Sequence, residues 1–188
     1  MSLLGEAAPE AVPNREILWA LRGTASFARC LNDLSDAELD GPSRIAGLSR
    51  RQIVARVGYQ ARRLAEAIGC VRAGIDDTAA GALPTPIDAD VSGATLPAHA
   101  LRHLFEHSKV HLRVEWRDLA DADWDAEIDI AGRVAIRETP VIRARLVWPA
   151  AVALDAGLRQ ADIPAEALDR LGLDGDRPIT LPALKAGY

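Results

Sequence analysis

The sequence predicts an all-α protein, an up-and-down four-helix bundle with a small β-hairpin ahead of its last helix. Three observations carry that expectation. Apolar residues recur at helical spacing in four separate stretches, and one short stretch alternates polar and apolar residues around an Ala-Gly pair. Aromatic residues make up only 4% of the chain, so its core must be built mainly from Ala, Leu, Val and Ile. Small aliphatic side chains suit close helix packing better than the face of a β-sandwich.

Asn14 stands where it can cap a first helix, whose apolar stripe (Ile17, Leu18, Leu21, Ala25, Phe27, Ala28, Leu31, Leu34) runs to about residue 34. Ser35 and Glu38 have capping-box spacing for a short helical turn, and "DGPSRIAGLS" is a Gly/Pro/Ser loop. Ser49 and Gln52 repeat the capping-box spacing before Ile53, Val57, Gln60, Leu64, Ile68 and Val71, so a second helix is expected to reach about Arg72, with Gly74 near its end. Residues 74–95 hold several Gly and Pro and no useful periodicity; a connection this long inside a compact domain is either mobile or functional.

Pro97 opens a third helix whose inward face is Leu101, Leu104, Ser108, Leu112, Glu115 and Leu119. "EIDI" and "RVAI" flank "AG" as a two-strand ribbon. The last long helix is expected from Glu138 to Leu158, with Pro140 in its first turn and Pro149 kinking it by removing one backbone hydrogen bond. "IPAEALDRLGL" reads as a short amphipathic helix, and the remainder as strand or coil. The expected division is a bundle domain over residues 1–160 and a short C-terminal tail over 161–188.

The 188 residues suffice for one sizeable core, and a 49% hydrophobic, 26% charged composition is that of a soluble globular chain. A net charge of −5 argues against nucleic acid as a partner. No apolar run approaches the roughly 20 residues of a membrane span, and the N-terminal stretch lacks the pattern of a secretory signal, so a cytoplasmic location is expected. Cys30 and Cys70 then read as reduced packing residues. Trp19, Trp116, Trp124 and Trp148 are spaced as packing residues, as is Tyr59. There is no Gly-rich phosphate loop, nucleophile elbow or CxxC motif.

All the histidines fall in "HALRHLFEHSKVHLRVEW", as a ladder of His99, His103, His107 and His111. Each step of four residues turns by about 40°. His99 and His103 should therefore face water, His107 the boundary, His111 partly inward, and Glu115 should be close to buried. The outer members of His107, His111 and Glu115 swing about 80° apart, so three ligands cannot easily meet on one ion. A site on His107 and His111 alone, completed by water or another helix, is the easier metal alternative. A buried Glu115 needs a partner, and Arg56 on the second helix and Arg143 or Arg145 on the last are available. The candidate site is a polar pocket of Arg56, His111, Glu115 and Arg143. Its arginines suit a small carboxylate, because guanidinium grips carboxylate bidentately, although a purely structural ion-pair network would explain the same residues.

"LSDAELDGPSRIAGLSRRQIVARV" resembles the segment joining the first two helices of mycothiol-dependent maleylpyruvate isomerases and their DinB-like relatives. There a Leu-Ser/Thr-Asp-Ala-Asp/Glu-Leu turn and a Pro-Ser pair precede Gly-Trp-Thr, with Leu48 here at the Trp position and Ser49 at the Thr. "LADADWDAEIDIAGRVAIRETPVIRARLVW" resembles the family's hairpin and the start of its fourth helix, and the likeness spans about residues 14–160. It implies a DinB-type bundle acting as a thiol-dependent cis–trans isomerase or thiol transferase on a small dicarboxylate. The cofactor implied is a low-molecular-weight thiol (mycothiol or glutathione).

Family members also hold a divalent metal, usually zinc, with a histidine of helix two and a Glu and His four apart on helix four. Those positions fall here on Arg56, Leu146 and Ala150, none of which can ligate it. Leu146 and Ala150 instead share an apolar arc with Val147, Ala153, Leu154 and Leu158, so the expectation is that no metal is bound at the usual site. The family's isomerases carry a further C-terminal domain, where this chain has only residues 161–188 beyond helix four. The alternative expectation is a non-catalytic, metal-free bundle that binds a small molecule or forms a homodimer.

Overall fold

A computed structural model describes residues 12–75, 86–130, 132–173 and 180–182. The helices are α1 (Asn14–Asn32), α2 (Arg50–Arg72), α3 (Pro86–Thr95), α4 (Ala98–Arg117), α5 (Thr139–Ala153) and α6 (Ala165–Leu171). The strands β1 (Glu127–Asp129) and β2 (Arg133–Ala135) pair antiparallel, with Ile128 opposite Val134. The expected bundle, formed by α1, α2, α4 and α5, and its hairpin are both present.

Local chemistry sets most boundaries. The α2 capping box closes with Ser49 N–H donating to Gln52 Oε1 (2.8 Å) and Gln52 N–H to Ser49 Oγ (3.3 Å). Glu38 N–H likewise donates to Ser35 Oγ (3.3 Å) and Ser35 N–H to Glu38 Oε2 (2.8 Å). Asn14 is not a cap: Pro13 precedes the helix and Asn14 is its first residue. α5 stops at Ala153, short of the expected Leu158, because Asp155 (φ 54°) and Gly157 (φ 91°) turn into left-handed backbone. Of the hairpin turn, Ala131 lies outside the described residues, while Gly132 N–H donates to Asp129 Oδ1 (2.9 Å).

The helix directions refine the expected topology. Gly58 faces Leu104 and Gly69 faces Glu115, a constant offset that makes α2 and α4 parallel neighbours. Gly23 faces Val147 and Trp148, and Trp148 Nε1–H donates to the Trp19 carbonyl (3.2 Å), at the middle of both α1 and α5. Parallel neighbours require the chain to return along the whole of α2, about 35 Å for its 23 residues. That return explains the long connection after residue 72. It also contains α3, where no periodicity was legible. α3 lies so close to α2 that a Cβ on Gly93 would sit 2.8 Å from Gln52 Cα, so only glycine fits there.

The interior divides in two. One cluster gathers all four tryptophans with Ile68, Leu112, Ile128 and Ile136, although they are scattered in sequence. Ala167 and Leu171 of α6 join it, so part of the expected tail packs on the bundle. The other cluster holds Phe27, Ile53, Val57, Leu101, Phe105, Leu146, Val147 and Ala150. Cys30 is buried in it and Cys70 is partly exposed; both are free thiols. Among the described residues, no helix is long and apolar enough to cross a membrane.

Candidate functional site

The face of α2 that meets α5 is dry. Leu146 and Ala150 are fully packed among Ile53, Val57 and Phe105. Arg143, one turn before Leu146, is 1% exposed. Its Nη1 donates to the Val57 carbonyl (2.7 Å) and to Gln60 Oε1 (3.0 Å), both neutral acceptors, while Nη2 is buried with no partner among the described residues. Burial pushes this guanidinium down to about 9, since nothing charged offsets its lost hydration. Arg56 turns away, toward α3, and clamps Asp90 through Nε and Nη2, both at 2.5 Å. An arginine already paired with a carboxylate, beside a leucine and an alanine, presents no electron-pair donor, so these three positions do not fit a divalent ion.

Where the C-terminal part of α2 meets α4, the packing takes in a buried ion pair. Glu115 is 7% exposed and accepts from Arg72 Nη1 (2.6 Å), with His111 Nε2 3.3 Å from its other oxygen. This bond raises the Arg72 guanidinium above its ordinary range. The expected partner of Glu115 was Arg56, Arg143 or Arg145, and each is engaged elsewhere. Arg145 Nε donates to the Leu171 carbonyl (3.2 Å). With α2 and α4 parallel, the end of α2 lies beside the end of α4, and Arg72 is the cation within reach. The structure thus brings together His111 and Glu115 but sets Arg56 and Arg143 apart from them, each with its own partners.

His99 and His103 are exposed and His111 is intermediate, as expected, whereas His107, expected at the boundary, is exposed. His103, His107 and His111 line a groove of about 400 Å³ with Arg62 and Glu66 of α2. A second groove, about 790 Å³, lies among α1, α5 and α6 and is lined by Arg15, Arg137, Arg145, Arg170, Glu16 and Glu138. Its Arg137 already pairs with Asp125 at 2.5 Å. The sequence reading missed Arg72 and Asp90. Asp90 carried no signal, because α3 was not recognised as a helix facing α2.

The family profile described as mycothiol maleylpyruvate isomerase N-terminal domain matches residues 20–163. The chain belongs to that family. Two crystal structures of mycothiol-dependent maleylpyruvate isomerase have a similar fold. A histidine-to-alanine mutant shows 31% identity and a TM-score of 0.76. A second structure shows 29% identity and a TM-score of 0.74. Each alignment covers 84% of this chain and 66% of the solved one, so this chain spans just under two thirds of those enzymes' length. No curated protein matches it significantly. The DinB-like helical fold implied by the sequence is therefore that of this maleylpyruvate isomerase family member.

Proposed function

We propose that this maleylpyruvate isomerase-like chain acts with a low-molecular-weight thiol on a small dicarboxylate, as a cis–trans isomerase or thiol transferase, with Arg143 recognising one carboxylate. The observation that carries this reading is the buried Arg143 guanidinium, which among the described residues lacks a counter-charge and keeps one donor nitrogen unpartnered. A carboxylate is the natural acceptor for that nitrogen, and reaching it requires the packed α2–α5 face to open around the substrate. In the isomerisation, the thiolate sulfur bonds to one alkene carbon while the π pair moves onto the conjugated carbonyl oxygen. The resulting single bond rotates, and the returning pair expels the thiolate unchanged. Arg143 orients the substrate and balances its charge, and no step is routed through a metal.

A steady-state assay with mycothiol and maleylpyruvate tests this. The expected result is a thiol-dependent rate whose kcat/KM falls about 10-fold or more in Arg143→Met, the scale of losing a hydrogen bond to a charged group. No thiol-dependent rate would overturn it. The second reading is a non-catalytic bundle that binds a small acid or dimerises. Neutralisation of Arg56 by Asp90 and the packed Leu146 and Ala150 favour it, and it predicts dicarboxylate binding without turnover.

A further inference from the structure

The α4 ladder borders its own groove beside Arg62 and Glu66 of α2, and the proposed chemistry leaves it unused. We infer that His107 and His111 form a site for a single divalent transition-metal ion, Zn²⁺ or Ni²⁺, open to the groove between α2 and α4. Residues four apart on a helix stand over one another, and imidazole suits these ions. The rings are already near each other: centroids lie 5.9 Å apart for His103 and His107 and 6.3 Å for His107 and His111. All three rings border the same groove of about 400 Å³.

What separates His111 from an ordinary surface histidine is its support. Glu115 Oε1 stands 3.3 Å from Nε2, and Glu115 is buried and fixed by Arg72 from the neighbouring helix. A carboxylate this near Nε2 is placed to become the outer-shell partner of the imidazole once a metal orients the ring, with Nδ1 as the ligating nitrogen. The pair His107–His111 is chosen over His103–His107 because only His111 has this backing. Among the described residues, no group of three or more His, Cys, Asp or Glu side chains is gathered for a metal. Among the described residues the two imidazoles are therefore the protein's contribution, and the remaining coordination positions are left for water.

Calorimetric titration of the untagged, metal-free full chain with Zn²⁺, and separately with Ni²⁺, tests the assignment. Saturable one-to-one binding is expected. It should weaken at least 10-fold in His107→Ala and in His111→Ala, and by about 10-fold in Glu115→Gln, the scale for removing an outer-shell partner. His99→Ala, whose ring does not border the groove, should bind as the wild type does. Addition of Co²⁺ should give visible absorption bands that vanish in His107→Ala. The assignment is overturned if the wild type takes up no metal saturably, if both alanine variants keep wild-type affinity, or if His103→Ala removes binding while His111→Ala does not.

Discussion

One helix, α2, presents two interior faces that treat charge in opposite ways. Toward α4, the buried acid Glu115 is met by Arg72 and His111, so its charge is compensated within the protein. Toward α5, the buried base Arg143 is met, among the described residues, only by a backbone carbonyl and an amide oxygen, amid aliphatic packing. A compensated charge ties two helices together, whereas an uncompensated one is a cost that bound anion would relieve. The contrast puts a compensated ion pair on one face and, under the proposed function, the ligand-recognising cation on the other.

The largest effect should come from forcing a charge onto the dry face. Leu146→Glu places a carboxylate in that packed interior and should lower the unfolding free energy by about 3–5 kcal/mol, measured by urea denaturation. Survival of full stability would mean that water or a cation reaches this face.

On the polar face, Glu115→Ala removes the carboxylate that accepts from Arg72 and stands beside His111. The expected loss is about 1.5–3 kcal/mol on the same measurement, because both partners are part-exposed and can turn to water.

Arg143→Met should be far milder despite its complete burial, within about 1 kcal/mol of wild type, since a buried ion replaced by an apolar side chain of similar length is often neutral. The pH dependence sharpens this. Burial holds Arg143 at about 9, below its unfolded value, so above pH 9 the unfolded chain binds more protons than the folded one. Stability from this group then rises with pH, and its cost is present in full below pH 9. Urea midpoints at pH 8 and pH 10 should show wild type gaining relative to Arg143→Met.

The smallest effect is a gain. A Cβ on Gly69 would meet the Glu115 carboxyl at 3.5 Å, ordinary contact, so Gly69→Ala should stabilise α2 by about 0.5–1 kcal/mol. Gly58→Ala, which meets Leu104 at 2.7 Å, should instead destabilise, and thermal unfolding of both variants would separate the two positions.

Local signals were legible in the sequence because they act within a few residues. The Ser49–Gln52 cap, the hairpin, the exposure of His99 and His103 and the burial of Glu115 all follow from spacing along one element. The partner of Glu115 was not legible, because it depends on α2 and α4 running parallel, a fact set by the length of the connection rather than by either helix. Asp90 was hidden for a related reason: α3 holds its place by the close approach of Gly93 to α2, not by an amphipathic stripe. Arg143 was read as a pocket residue on charge alone, and its solitude emerged only once Arg56 was seen to belong to Asp90.

The claim that the α2–α5 face recognises an anion through Arg143 is tested most directly by titrating maleate into wild type and Arg143→Met under calorimetry. The account predicts saturable one-to-one binding to wild type and its loss in a variant that unfolds at nearly the same urea concentration. Equal binding by the two proteins, or none by wild type, would contradict it.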